Sequence, residues 1–469
     1  MPTVLDMLRS SDPEQAKQAI LFLSNSDDPQ TFSAIVTGLV HPDPEVAAMS
    51  RRMLRGCENE ALIDALIQGC RKRESELWVL MAMALSHMQS PKAAPLFVEL
   101  LRDEDRDARV AAATGLLALR DPAAVPALSD AARDEDADVQ RAVLTALAAT
   151  EPRAAVKPLT ELLRDEDVHL RRRAAAAMQV VADDLAASLI APSLKANDES
   201  ERLAAAWALG QCGSAKAAEA LSEAAEPGSD PLLRYAALIG LGELEAQPTP
   251  PVVVAALQDD DPLIRHYAAL ALGSIEDADA MPGLTDLLDD PRADVRSAAA
   301  WALGNIGGEE VLTPLTDAAR TDTDASVRAE AVKSLGMLGS EAIPVLVSAL
   351  KDEDADVRSE AACALGEIDD RQALPALTEA MSDSDADVRL AALFSVAGIG
   401  GKRSVPALAE ALSDESVEVR RAAAMALGDI GGNKAIAALK KARKDEDEDV
   451  REAVDQALSQ SRSRTASRK

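Results

Sequence analysis

Apolar residues in this chain fall into short helical registers separated by acidic turns, and the stretch 371–400 shows one full cycle. Leu374, Leu377, Ala380 and Met381 recur at helical spacing. They predict a first helix, A, over 373–381, with Pro375 near its start, where a missing amide hydrogen costs nothing. Ser382-Asp383-Ser384 breaks the pattern, and Asp385 stands where an N-cap belongs, its carboxylate placed to accept from the free amides of the next turn. Val388, Ala392, Leu393 and Val396 then mark the inward side of a second helix, B.

This cycle is copied along the chain. Arg109, Arg171, Arg202, Arg234, Arg265, Arg296, Arg328, Arg358, Arg389, Arg420 and Arg451 recur 30 to 32 residues apart once Gln140 fills the place after Arg109. Counting back reaches Trp78, Ala47 and Ala16, which gives about fifteen units. Prolines mark the start of A at Pro95, Pro126, Pro158, Pro282, Pro314, Pro344 and Pro406. B ends near a glycine at Gly210, Gly242, Gly273, Gly304, Gly336, Gly366 and Gly428, which supplies either a C-cap or a close helix crossing. Two helices of this size cannot bury their apolar faces alone, so each pair leans on the next.

The pattern D-x-D-x-x-V-R-x-x-A-x-x-A-L-G-x-I-G, nearly whole over 352–368, resembles HEAT repeats, in particular the bilin-lyase-like variety. The likeness holds well over 91–458 and poorly before it. It implies an all-α chain, an α-solenoid in which antiparallel helix pairs wind as a right-handed superhelix. Residues 1–90 then form divergent capping repeats, 91–458 regular ones, and 459–469, with Arg462, Arg464, Arg468 and Lys469 among serines, a disordered tail. In the HEAT family a turn aspartate and an arginine of B form a hydrogen-bonded ladder. The resemblance assigns that structural role here to Asp259, Arg265, Asp290, Arg296, Asp352, Arg358, Asp383 and Arg389.

Charge narrows the class of partner. Forty-nine basic against 80 acidic side chains leave −31, which repels nucleic acid and anionic membranes. Many carboxylates with only fourteen lysines resemble haloarchaeal proteins, and high salt screens the self-repulsion. Cys57, Cys70, Cys212 and Cys363 form no CxxC pair, which argues against disulfides and zinc. With no leader-like stretch near Met1 and no apolar run of membrane-spanning length, a soluble cytoplasmic protein is expected.

Catalytic motifs are not found. The turn Asp352-Glu353-Asp354-Ala355-Asp356 opens like a calcium loop but has Val357 where glycine and Cys363 where glutamate belong. The four histidines (His41, His87, His169, His266) form no HExxH, and the His-Glu pairs of HEAT-type deoxyhypusine hydroxylases are absent. Gly400-Gly401-Lys402-Arg403 lacks the remainder of a phosphate loop. The chain is therefore expected to be no enzyme and to carry no cofactor or metal.

One face of helix B remains. If the valine before the marker arginine points inward, the residues one and five places after it point about 200–240° away. They include Leu203 and Trp207, Tyr235 and Ile239, His266 and Leu270, Trp301, Leu390 and Phe394, and Met425. Four of only nine aromatic residues fall on these two positions. Such a stripe is expected to floor a protein-recognition groove on the concave side; the other reading is that it wedges between adjacent B helices. Basic clusters at Arg51-Arg52-Arg55 and Arg71-Lys72-Arg73 suggest either capping or a second docking surface. The function expected is a monomeric scaffold holding one or more proteins, and the chain resembles haloarchaeal taxis adaptors that join chemotaxis proteins to the archaellum motor. A lyase-like, chromophore-related enzyme and a purely architectural spacer are the alternatives.

Overall fold

The computed structural model describes residues 7–466 apart from 9, 11, 24–37, 40, 56–59, 74–77, 179–180 and 182–183. Every regular element among them is a helix, and the fold is an all-α solenoid. Internal contacts divide the chain into two units, Met1–Gly240 and Leu241–Lys469. The B helices used below are α1 (Arg106–Leu119), α2 (Ala137–Thr150), α3 (Val168–Met178) and α4 (Glu199–Gly210) in the first unit. Those of the second are α5 (Pro262–Ile275), α6 (Ala293–Ile306), α7 (Ala325–Gly336), α8 (Ala355–Ile368), α9 (Ala386–Gly400), α10 (Val417–Ile430) and α11 (Glu448–Ala466).

Most B helices begin at a capping aspartate, whereas α6 follows Arg292, which makes no side-chain cap, and α10 follows Ser416. Asp385 Oδ1 accepts from the amides of Asp387 at 2.9 Å and Val388 at 3.3 Å, satisfying donors that the first helical turn leaves free. Helix A is shorter than the spacing suggested. Its first turn, Arg371–Ala373, tightens to a 3-10 turn because Asp370 accepts from the Gln372 amide, and the α-helix proper is Leu374–Ala380. Pro158 departs from the pattern: its helix, Pro152–Leu162, starts six residues earlier at Pro152, so Pro158 lies inside it.

Within each unit consecutive B helices pack directly on one another, while A helices pack chiefly on B. Alanine and glycine make that approach possible. Not one of the seven glycines near the B termini has a positive φ, so their role is the crossing and not the C-cap. A β-carbon on Gly336 would meet Ala364 Cβ at 2.8 Å, and one on Gly210 would meet Gly240 Cα at 2.8 Å. Val388, Ala392, Leu393 and Val396 are buried, as their register requires.

Arginine locks these stacked pairs. In the second unit each marker arginine from Arg265 to Arg420 gives Nη1 to the carbonyl of its own turn aspartate and its Nε–Nη2 edge to the carboxylate of the next. Arg265 thus reaches the Asp259 carbonyl at 2.8 Å and the Asp290 carboxylate at 2.7 and 3.1 Å. The same fork joins Arg296 to Asp322, Arg328 to Asp352, Arg358 to Asp383, Arg389 to Asp414 and Arg420 to Asp445. Charge-assisted bidentate bonds of this kind are stronger than neutral ones. In the first unit the ladder is interrupted. Arg109 Nη2 reaches Asp134 at 3.0 Å, but Gln140 gives its amide Nε2 to the Asp134 carbonyl of its own turn, and Asp165 is taken instead by Arg133 at 2.8 Å.

This ladder makes stability depend on acid. Burial alone would raise the carboxyls of Asp322, Asp352, Asp383, Asp414 and Asp445, but the arginine fork and the amide two residues on outweigh it and hold all five below the usual range. A carboxyl depressed in the folded state contributes stability that is complete above its unfolded value of about 3.9 and is lost as pH falls through the folded value. Thermal melts followed by circular dichroism should therefore be flat from neutral pH down to about pH 5 and fall steeply below about pH 4. A melting temperature unchanged between pH 7 and 3 would refute a stabilising ladder.

The two ends depart from the repeat in different ways. Ala16 and Ala47 occupy the marker place as buried core residues, and Trp78 there lies under the Arg73 guanidinium, 4.4 Å from the ring centroid. Arg73 also pairs with Asp103 and Arg71 with Glu99, so part of the second basic cluster is engaged in joining repeats. At the other end α11 continues to Ala466. No glycine or proline stops it, and Gln, Arg and Ala favour the helical state; residues 467–469 lie outside the described residues, as does Cys57.

Candidate functional site

The outward face of B carries most of what the core leaves over. Among the described residues eleven large apolar side chains are exposed, and Ile239, Phe394 and Met425 stand five places after a marker arginine. Leu232 and Leu263 stand two places before one. That position was missed in the sequence reading. It lies about 260° from the inward valine, one helical turn before the other two, and the same 3.6-residue period would have found it.

In the first unit Leu203 and Trp207, both half-buried on α4, form a wall with Val168, Arg171 and Arg172 of α3 around a pocket of about 480 Å³. Tyr235 is half-buried and Ile239 exposed on the next B helix, Pro231–Glu243.

In the second unit the stripe divides between the two readings. Trp301 is half-buried, and its ring lies over Gly273 of the preceding B helix, where a β-carbon would come within 2.7 Å of Cζ3. This side chain wedges between helices. His266 is tied to the next helix, its Nδ1 3.0 Å from the Asp294 carbonyl oxygen, and its ring meets Tyr267 edge-on. Leu270 and Leu390 are half-buried, and Leu390 packs against the core beneath α10. Phe394 on α9 and Met425 on α10 remain 55% exposed on adjoining helices. Neither is among the apolar side chains that pack against the core beneath α10.

The ladder residues Asp259, Arg265, Asp290, Arg296, Asp352, Arg358, Asp383 and Arg389 sit along the turns, with their charges spent on each other and on backbone carbonyls. Burial pushes the Cys70 thiol up to about 12, which leaves it protonated and unreactive at neutral pH. Among the described residues no group of three or more His, Cys, Asp or Glu side chains is placed to hold a metal ion. No described helix is long and apolar enough to cross a membrane.

Sequence comparison finds HEAT repeats at residues 33–113, 63–148, 94–179, 130–200, 156–242, 182–261, 249–336, 314–397 and 375–459. No curated protein matches the chain. Among solved structures, human deoxyhypusine hydroxylase is 28% identical over 52% of this chain and 96% of its own, with a TM-score of 0.25. The CpcE–CpcF complex of phycocyanin lyase from Nostoc is 24% identical over 50% of this chain and 91% of its own, at 0.33. Yeast importin-β is 14% identical over 97% of this chain and 80% of its own, at 0.45.

Proposed function

The chain belongs to the HEAT-repeat family, and from that premise we propose that it is a monomeric, non-enzymatic adaptor that holds partner proteins on the outward face of its B helices. One observation carries the reading: Phe394 and Met425 lie more than half exposed on neighbouring helices of an otherwise strongly charged surface. Exposed apolar side chains rimmed by charge are a common mark of protein recognition. In its narrower form the proposal places the protein in a haloarchaeal cytoplasm, linking taxis signalling proteins to the archaellum motor. The net charge of −31 supports the salt-adapted setting, and the resemblance of the repeats supports the role.

Affinity capture in multimolar salt from cells that express the protein tests it. The native chain should retain a stoichiometric protein partner. The double variant Phe394→Glu, Met425→Glu should lose at least about 90% of it while melting within a few degrees of the native chain, since exposed substitutions change stability by only about 0.5 kcal/mol. Retention by the variant refutes the face; a native chain that holds no protein favours the spacer, and one that holds a coloured tetrapyrrole favours the lyase-like reading.

A further inference from the structure

The ladder has a gap in the first unit, and the arginine beside it lines the pocket on α3 and α4. Arg171 is only 7% exposed. Its Nη1 donates to the carbonyls of Asp165 and Glu166, as marker arginines do elsewhere. The carboxylate that should meet its other edge belongs 25 residues on, the separation of Arg265 from Asp290 and of Arg358 from Asp383, and that residue is Ala196. Ala196 holds the turn position in every other respect. Its carbonyl accepts from Arg202 at 3.1 Å, and its backbone (φ −64°, ψ 153°) matches that of Asp259 (φ −68°, ψ 148°).

Nearby carboxylates do not fill the gap. Asp165 is held by Arg133, Glu201 by Arg164 at 2.7 Å, and Asp230 lies 3.6 Å from Arg202. Arg172 is exposed, and Arg173 bonds the neutral amide oxygen of Gln140. Among the described residues, these three consecutive arginines thus have no carboxylate within ion-pair distance, in a chain of net charge −31. Asp165 acts on Arg171 only through space, its carboxylate being bonded to Arg133; a mostly buried cation with no carboxylate on its fork is costly, and that fork is shaped for two carboxylate oxygens.

We propose that Arg171 and Arg172, with the Leu203–Trp207 wall, form a receptor for an acidic segment of a partner protein, in which an aspartate or glutamate stands beside a large apolar side chain. The carboxylate supplies the charge that Ala196 does not, and the apolar neighbour covers Leu203 and Trp207. A pocket of about 480 Å³ is too large for a carboxylate alone and fits an aromatic or branched side chain with it. This rests on the adaptor reading and specifies the partner chemistry at one place on that face.

The test compares N-acetyl-Glu-Phe-amide with N-acetyl-Gln-Phe-amide, titrated to about 10 mM against the full chain, with ligand-observed NMR and tryptophan fluorescence as readouts. The glutamyl peptide should bind at least about tenfold more tightly, because only it offers a bidentate charged acceptor. Ala196→Asp should fold at least as stably as the native chain, since turn aspartates elsewhere also accept the amide two residues on, as Asp259 does from Asp261 at 2.9 Å. It should also bind the glutamyl peptide at least about tenfold more weakly, because Arg171 is then satisfied internally. Equal binding of the two peptides, binding of neither, or undiminished binding by Ala196→Asp overturns the proposal. If protein capture through Phe394 and Met425 still succeeds in that event, the adaptor reading stands and only this receptor falls.

Discussion

Asp383→Ala is expected to destabilise the second unit by about 3 kcal/mol, a loss read from the midpoint of chemical unfolding followed by circular dichroism. Arg358 and Asp383 are each only 13% exposed in their side chains, so little water reaches the pair. Removing the carboxylate strands Arg358 Nε and Nη2 and also takes the acceptor from the Asp385 amide, which it holds at 2.9 Å. Arg358 Nη1 keeps its bonds to the carbonyls of Asp352 and Glu353, so the charge stays where it is, uncompensated. The pair Arg358→Met, Asp383→Leu should lose less than Asp383→Ala alone, because no charge is then left buried. Units in a solenoid are coupled mainly to their neighbours, so hydrogen exchange should quicken first in α8 and α9. A single variant within about 0.5 kcal/mol of the native chain would show the rungs to be ornamental.

The same rungs show how far sequence reasoning reached. The period, the N-cap aspartates and the core register of B were legible because each repeats at a fixed place in unit after unit, so local chemistry and pattern agree. That each arginine spans to the next turn's carboxylate while holding its own turn by the carbonyl was not legible. Spacing places Asp352 six residues before Arg358 and Asp383 twenty-five after it, and only the stacking distance decides between them.

The stripe on B was legible as a set of positions but not as a set of roles. Helical geometry puts Trp301 and Phe394 at the same angle. A glycine faces both, Gly273 before Trp301 and Gly366 before Phe394, but only the indole leans over its glycine; the atoms nearest Gly366 belong to Ser395, and Phe394 stays 55% exposed. Arg171 shows the converse, since its sequence place is ordinary and its unusual state comes from Ala196, a residue twenty-five positions away.

The crossings of the B helices yield the second large effect. Gly428→Ala should destabilise the second unit by about 2 kcal/mol and Gly428→Val by about 3 kcal/mol or more, as expected for overpacking against a partner that cannot yield. A β-carbon there would lie 2.6 Å from Ala457 Cβ and 2.8 Å from Ala457 Cα, so α10 and α11 must separate to admit it. The backbone of Gly428 is ordinary helix, so the cost comes from the crossing and not from φ. Gly398 supplies the control: it is exposed on α9 with nothing within 4 Å of its would-be β-carbon, and Gly398→Ala should stabilise by about 0.5–1 kcal/mol through helix propensity alone. Exchanging the contact, Gly428→Ala with Ala457→Gly, should return most of what Gly428→Ala removes, because one methyl again sits between the helices. If Gly428→Ala instead behaved like Gly398→Ala, the close approach that lets B helices stack face to face would not exist, and the outward stripe would lose the support that holds its members side by side.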